Sequence, residues 1–393
     1  MTISTIHIDG FKSIHSETVE LGRVNCFIGA NGVGKSNILE AIGVLGAAAN
    51  GVVDDEALLR RGVRAGVPRL FKSSFATERA PAHIGISAVG DAGQIYRVSL
   101  LNPLKSPEPA WRYKTEMLND GMQDIVSDGV RNKKNLNPQA GLAALKLVEV
   151  EKNNPAAQLM QCLQDYAIYC PNTPTLRGTI PDMQPRAPVG LSGGQLAEGF
   201  ASLSKLFADD NSDIFDEVLE LIDWVADIQA TTHASDLLSP KVARTKWMLR
   251  FTDRHMNKSR NELTAYDASE GALYVIFCAV LCLLPNSPKL FAIDNLDQAL
   301  NPRLVSRLTS HLIGWLRHNG SDRQMLFTAH NPAVLDGLDL SDPEVRLFVV
   351  ERNSNGMTRV RRLELSDKLL KLSETYPLSR LWLMGHLGGV PNV

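Results

Sequence analysis

The chain has 393 residues, 44% hydrophobic and 21% charged, with a formal net charge of −2, enough for one large or two ordinary domains with a packed core. No run of 18 apolar residues offers a membrane span, and near-neutral charge gives no global push toward nucleic acid. Five cysteines without a C-x-x-C pair argue against a disulfide framework, and the opening M-T-I-S-T-I-H-I lacks the basic-then-apolar layout of a secretory signal, so a cytoplasmic protein is expected.

I-S-T-I-H-I alternates as a half-buried strand does. After Gly22, V-N-C-F-I is a short apolar run suited to a central parallel strand, and a helix is predicted from Ser36 to Ala49. Between strand and helix lies G-A-N-G-V-G-K-S (Gly29–Ser36), which fits G-x-x-x-x-G-K-[ST] in the context that motif needs. Glycines let such a loop wrap with its N–H groups pointing at phosphate oxygens, and the helix N-terminus adds positive potential. Lys35 would bridge β- and γ-phosphates and Ser36 would ligate Mg²⁺. The expected ATP contacts are Asn31, Gly32, Gly34, Lys35, Ser36 and Asn37.

Residues 80–260 are heterogeneous. Ile84–Val89 and Ile95–Leu101 read as strands, prolines cluster, and helices are predicted near Ala140–Glu151 and Asp213–Ile228. Arg60, Arg61, Arg64, Arg69 and Lys72 form one basic cluster, and seven Lys or Arg residues lie between Lys241 and Arg260. Solvated surface is the default reading of both, a phosphate-tracking patch the alternative. L-S-G-G-Q (Leu191–Gln195) spells the signature peptide of ABC-type ATPases, and a helix with Leu196, Phe200, Leu203 and Phe207 on one face follows it.

From Asp267 the pattern sharpens. A-L-Y-V-I-F-C-A-V-L-C-L-L is apolar nearly all round, a helix buried in the core that would carry Cys278 and Cys282 on one face. K-L-F-A-I-D is a second buried strand, Arg303–Arg317 a helix, and Q-M-L-F-T-A-H a third strand; Val345–Glu351 and Met357–Leu363 flank the hairpin signal R-N-S-N-G. Strand and helix alternate at both ends, predicting an α/β fold with a mainly parallel sheet and an inserted lid or helical subdomain. No sustained heptad run supports a long coiled coil. The division expected is residues 1–80, an N-terminal part carrying the phosphate loop; 81–261, an inserted β/helical lid; and 262–393, a C-terminal part.

Asp294 ends its strand where an open α/β sheet meets its ligand crevice, the place for a metal-binding carboxylate. His330, at the tip of L-F-T-A-H, could hydrogen-bond the γ-phosphate or the attacking water. In ABC ATPases the signature serine caps a helix that runs almost directly into the metal strand. Ser192 precedes Asp294 by 102 residues, whereas Ser269, in D-A-S-E-G-A-L, precedes it by 25. Ser269-Glu270-Gly271 therefore has the geometry to meet phosphate, with a plain capping box of Asp267 and Glu270 as the bland reading beside it. L-S-G-G-Q is a decoy on this argument.

With these residues placed, the chain resembles the AAA-type ATPases of the RecF/OLD/SMC-like branch, relatives of ABC ATPases found in antiphage defence and DNA repair. F-K-S (Phe11–Ser13) is similar to the family's N-terminal strand motif, which implies Lys12 near the nucleotide. Y-C-P-N-T-P-T-L-R and the stretch after it resemble the region between lid and second lobe, and A-H-N-P-A-V-L-D the switch around His330. The resemblance implies a homodimer or higher homo-oligomer with composite ATP sites. Each would join Lys35, Ser36, Asp294 and His330 of one subunit to Ser269 and Gly271 of its partner.

Two departures stand out. The family ends its metal strand in Asp-Glu, the Glu polarising water; here the pair is Asp294-Asn295, and an amide cannot take a proton near neutral pH. Hydrolysis is then expected to be slow, or Asp297 or another carboxylate stands in for the base. The stretch after the His330 switch also holds no D-x-D-plus-Glu nuclease layout, so a nuclease or other effector would be a separate protein. The expected role is an ATP-driven dimerising switch in a nucleic-acid-linked process, foremost antiphage defence, with DNA as a further partner and no membrane. A non-hydrolysing ATP-clamped scaffold that holds an effector is the alternative; a DNA-repair ATPase and a transporter's ATPase subunit rank below it. For the glutamine loop the sequence singles out no residue, Gln94 included.

Overall fold

The computed structural model describes residues 1–130, 137–208, 213–233, 237–239, 241–318 and 322–389. Two six-stranded sheets and one three-stranded sheet carry the fold. The central sheet contains β3 (Val24–Ile28), β8 (Ala167–Tyr169), β12 (Leu290–Ile293), β13 (Gln324–Thr328), β14 (Val345–Arg352) and β15 (Thr358–Leu363), in the order β15-β14-β3-β13-β12-β8. Every pairing in it is parallel except the β14–β15 hairpin. The expected mainly parallel sheet is therefore present, and β3 lies in its middle, between β13 and β14.

The second sheet is wholly antiparallel. It starts with β1 (Ile3–Phe11) and β2 (Ile14–Glu20) and continues through β4 (Ile84–Gly90), β5 (Ile95–Leu101), β6 (Arg112–Asn119) and β7 (Asp124–Val130). β9 (Val225–Thr231), β10 (Met248–Asp253) and β11 (Glu262–Thr264) make the small third sheet.

Buried parallel strands are apolar on both faces, because helices cover both. On one face Phe27, Ala292, Leu326 and Phe348 share a core with α1 (Lys35–Ala49), α4 (Pro155–Gln164) and the antiparallel sheet. On the other, Cys26, Ile28, Ile293 and Phe327 meet α6 (Leu196–Ala208), α8 (Glu270–Leu283) and α9 (Pro302–Arg317). α8 is buried at every position from Ala272 to Leu283, as its all-round apolar sequence requires. Each large aliphatic or aromatic residue so buried contributes roughly 1.5–3 kcal/mol. Cys26, Cys162, Cys278 and Cys282 are buried free thiols.

Within residues 81–261, β4–β7 extend the sheet begun by β1 and β2, β8 hydrogen-bonds to β12 as an edge of the central sheet, and α6 packs beside α8. Such pairings join segments distant in sequence, and a three-residue strand such as A-I-Y shows no period. Two expectations are corrected. The helix expected over Asp213–Ile228 stops as α7 (Ile214–Glu220), and Val225 begins β9, held by its pairing with β10. The helix near Ala140–Glu151 is only α3 (Leu142–Lys146) and one tighter turn.

The remaining helices are α2 (Asp55–Leu59), α5 (Thr173–Leu176), α10 (Asp367–Ser373) and α11 (Leu378–Leu383). No helix among the described residues is long and apolar enough to cross a membrane.

Candidate ATP site

β3 runs into the loop Gly29–Gly34, and α1 starts at Lys35. Gly34 caps α1 at φ 110°, where a Cβ would collide with the hydroxyls of Thr358 and Ser13; at Gly29 it would meet the Val350 carbonyl. Only glycine brings the chain this close to the β14–β15 hairpin while keeping a left-handed backbone. Gly32 faces open space and Asn31 is exposed, so the loop's outer surface is free to meet a ligand.

Side chains from three neighbouring strand ends close a ring at this loop. Ser36 Oγ donates to Asp294 Oδ1 at 3.0 Å, and Thr328 Oγ1 donates to the same oxygen at 2.6 Å. Thr328 Oγ1 in turn accepts the backbone N–H of Asn295 at 2.8 Å. Asn295 Oδ1 stands 3.0 Å from His330 Nε2, and His330 Nδ1 faces Lys35 Nζ at 3.5 Å. Lys35 itself is folded back onto the carbonyls of Gly29 and Ala30, at 2.8 and 3.0 Å. Burial pulls its ammonium down to about 8, against the raising fields of Asp294 and Asp297. Burial and then the Lys35 charge lower the His330 pKa as well, a shift toward the neutral imidazole.

A Mg²⁺ ion fits this donor set only with help. Ser36 and Asp294 supply two oxygens, and no group of three His, Cys, Asp or Glu residues among the described ones could hold a metal alone. Mg²⁺ takes six oxygens and commonly completes its shell with substrate phosphates and water. The pair suits a cation that arrives with a nucleotide.

Lys12 stands at the β1–β2 turn with φ 48°, ion-paired to the buried Glu40 and 4.9 Å from the Phe71 ring centroid. Glu40 also pairs with Arg64, whose Nη2 is 3.3 Å from Asn37 Oδ1. Asn37 Nδ2 then donates to Ser13 Oγ at 2.7 Å, and Thr358 Oγ1, 2.7 Å from that hydroxyl, donates to the Val33 carbonyl at 2.6 Å. This second network braces the loop from the hairpin side. Next to it opens a cavity of about 700 Å³ whose lining includes Lys12, Asn37, Arg64, Arg69, Lys72 and Arg352. Arg61 leaves the basic cluster: it is buried and donates to the carbonyls of Ala57 and Gln164.

The other expected residues fall elsewhere. Ser269 caps α8, its hydroxyl accepting the Ala272 N–H at 3.4 Å, and it is exposed. The cap is Ser269 and not Asp267, which instead accepts from the Thr264 hydroxyl. Gly271, one residue into α8, lets that helix approach Leu304 and the Ala299 carbonyl. None of Ser269's hydrogen bonds among the described residues reaches the ring in its own chain.

In the L-S-G-G-Q loop the N–H groups of Ser192 and Gly194 go to Asp182 Oδ2 at 2.9 and 3.2 Å. Asp297 is not placed as a base. Its Oδ2 accepts the N–H groups of His330 and Asn331, anchoring the switch segment, and its Oδ1 is buried away from water. Gln94 lies in the β4–β5 turn beside Gly90, which pairs with Ile3 at the end of β1 opposite Lys12, so it is no glutamine loop. Thr328, Glu40 and Thr358 were missed. For Thr328 a signal existed, a hydroxyl two residues before the switch histidine; for the other two only tertiary contact reveals the role.

Residues 182–336 match the family described as "AAA domain, putative AbiEii toxin, Type IV TA system", and residues 1–61 match the "AAA ATPase domain" family. No curated protein matches the chain. Among solved structures, an Smc head bound to the C-terminal winged-helix domain of ScpA is 14% identical, with a TM-score of 0.55, covering 94% of this chain and 100% of its own. An Smc head with an extended coiled coil, bound to the C-terminal domain of ScpA derived from Pyrococcus furiosus, is 11% identical with a TM-score of 0.52, covering 95% and 98%. At such identities the likeness shows the fold. By the two family matches, residues 1–61 and 182–336 are similar to AAA-type ATPase domains, and the chain shares the fold of Smc heads.

Proposed function

We propose that the chain binds ATP with Mg²⁺ at the Lys35–Ser36–Asp294–His330 ring and uses it to bring two copies together. The observation that carries this reading is the ring itself: a lysine, a hydroxyl and a carboxylate converge where a phosphate loop opens at a helix N-terminus. The exposed Ser269 at the tip of α8 supports dimerisation. Its hydroxyl sits at a helix N-terminus, and none of its hydrogen bonds among the described residues reaches the ring of its own chain. Two copies head to tail would each complete the other's site.

The role we assign is a slowly hydrolysing switch in a nucleic-acid-linked process, antiphage defence foremost, with a separate effector or nuclease. Fold analogy supports this part, together with the toxin–antitoxin wording of one matched family. The second reading, a non-hydrolysing ATP-clamped scaffold, is favoured by Asn295, which stands where a water-polarising glutamate is expected, and by the buried position of Asp297. Steady-state hydrolysis with Mg²⁺, run beside Lys35→Ala with mass measured in parallel, separates the two. Turnover above the control supports the switch. An ATP-dependent dimer without turnover supports the scaffold, and a monomer under all conditions refutes both.

A further inference from the structure

Asn295 is more than a missing glutamate. Its φ is 59°, the left-handed region that asparagine tolerates better than most residues. Two bonds hold it there: its own N–H to Thr328 Oγ1 at 2.8 Å, and its carbonyl accepting from the Gln298 N–H at 3.1 Å.

The polarity of the side chain follows from its neighbours. The Lys35 ammonium has only donors to offer, so His330 Nδ1, 3.5 Å away, faces it as an acceptor. The neutral ring then carries its proton on Nε2, which donates to Asn295 Oδ1 at 3.0 Å. A protonated ring would also donate from Nε2, and a reversed amide would set two donors against each other. The acceptor oxygen of Asn295 is therefore taken. Its Nδ2 hydrogens have no partner among the described residues, and they belong to a half-buried side chain on the ring that contains Lys35 and Ser36.

We infer that Asn295, through its amide Nδ2, reads the γ-phosphate and makes the site select ATP over ADP. This rests on the phosphate-loop reading proposed above. A group that can only donate suits a terminal phosphate oxygen and does not suit a water that must give up a proton. Asparagine at 295 thus exchanges base chemistry for nucleoside-triphosphate discrimination, and the left-handed backbone favours Asn or Asp over other non-glycine residues there.

The test measures equilibrium affinities for Mg-ATP and Mg-ADP in the unaltered chain, Asn295→Asp and Asn295→Ala, each checked for an unchanged thermal unfolding midpoint. Aspartate keeps the shape, the left-handed tolerance and the oxygen facing His330, but turns an oxygen toward the phosphate in place of N–H. The expected result is a tenfold or greater fall in the ATP-to-ADP preference for Asn295→Asp and a smaller fall for Asn295→Ala, with ADP affinity held within about twofold. A preference unchanged in both variants, or ATP and ADP affinities falling together, overturns the inference. If the unaltered chain binds neither nucleotide, the phosphate-loop reading itself fails and takes this one with it.

Discussion

Ser36 Oγ and Asp294 Oδ1, 258 positions apart in sequence, are 3.0 Å apart and hydrogen-bonded, which ties the first turn of α1 to the tip of β12. A Mg²⁺ ion at this pair would use a lone pair of the Ser36 hydroxyl and the Asp294 carboxylate. Asp294→Ala is therefore expected to weaken Mg-ATP binding tenfold or more and to leave Mg-free ATP binding little changed. Titrations with and without Mg²⁺ check this; equal losses in both would contradict the assignment.

Lys35 gives a pH dependence. Phosphate binding needs the ammonium, and burial brings its pKa in the free site down to about 8. ATP affinity should hold below about pH 7 and fall as pH rises through 8, approaching tenfold per unit above it. A surface lysine, ordinarily charged to about 10.4, would show no such fall. A profile flat to pH 9.5, read by nucleotide titration, would contradict the proposed role of Lys35.

The glycines of the loop differ in what they tolerate. Gly34→Ala meets the Thr358 and Ser13 hydroxyls as well as the left-handed penalty, whereas Gly32→Ala, at φ 76°, meets open space. The first should unfold at a clearly lower temperature and lose ATP binding. The second should cost only about 1–2 kcal/mol. Thermal melts of the two variants decide.

Asp182 provides a test of the decoy. Its carboxylate holds the Ser192 and Gly194 N–H groups, so Asp182→Ala leaves partly buried donors unpaired, worth about 1–3 kcal/mol each when fully buried. The account expects lower stability with ATP affinity per folded molecule unchanged. A selective loss of ATP-dependent dimerisation would instead return L-S-G-G-Q to the site.

Ser269→Arg places a long cation on an exposed helix tip whose serine makes no hydrogen bond to the ring among the described residues. The expected result is a monomer in ATP, by light scattering, with ATP affinity in the monomer retained. Dimerisation at the unaltered level would contradict the composite site.

The ring was legible in the sequence because each member sits at a strand end that its own apolar run announces. V-N-C-F-I precedes the phosphate loop, L-F-A-I precedes Asp294 and M-L-F-T precedes His330. The antiparallel sheet was half legible: β4 and β5 showed alternation, but their joining to β1 depends on pairing across more than 70 residues. Lys12 was placed through a resemblance, and its partner Glu40, a charged residue buried in the middle of α1, carries no local sign of that contact. The Asn295–His330 bond also escaped, because it depends on a left-handed residue that only tertiary contacts hold.

The most direct measurement is equilibrium binding of Mg-ATP to the purified chain beside Lys35→Ala. The account predicts saturable binding by the unaltered chain and at least a tenfold loss in the variant, with the same thermal unfolding in the absence of nucleotide. Equal affinities in the two proteins, or no binding by either, would contradict the assignment of this ring as an ATP site.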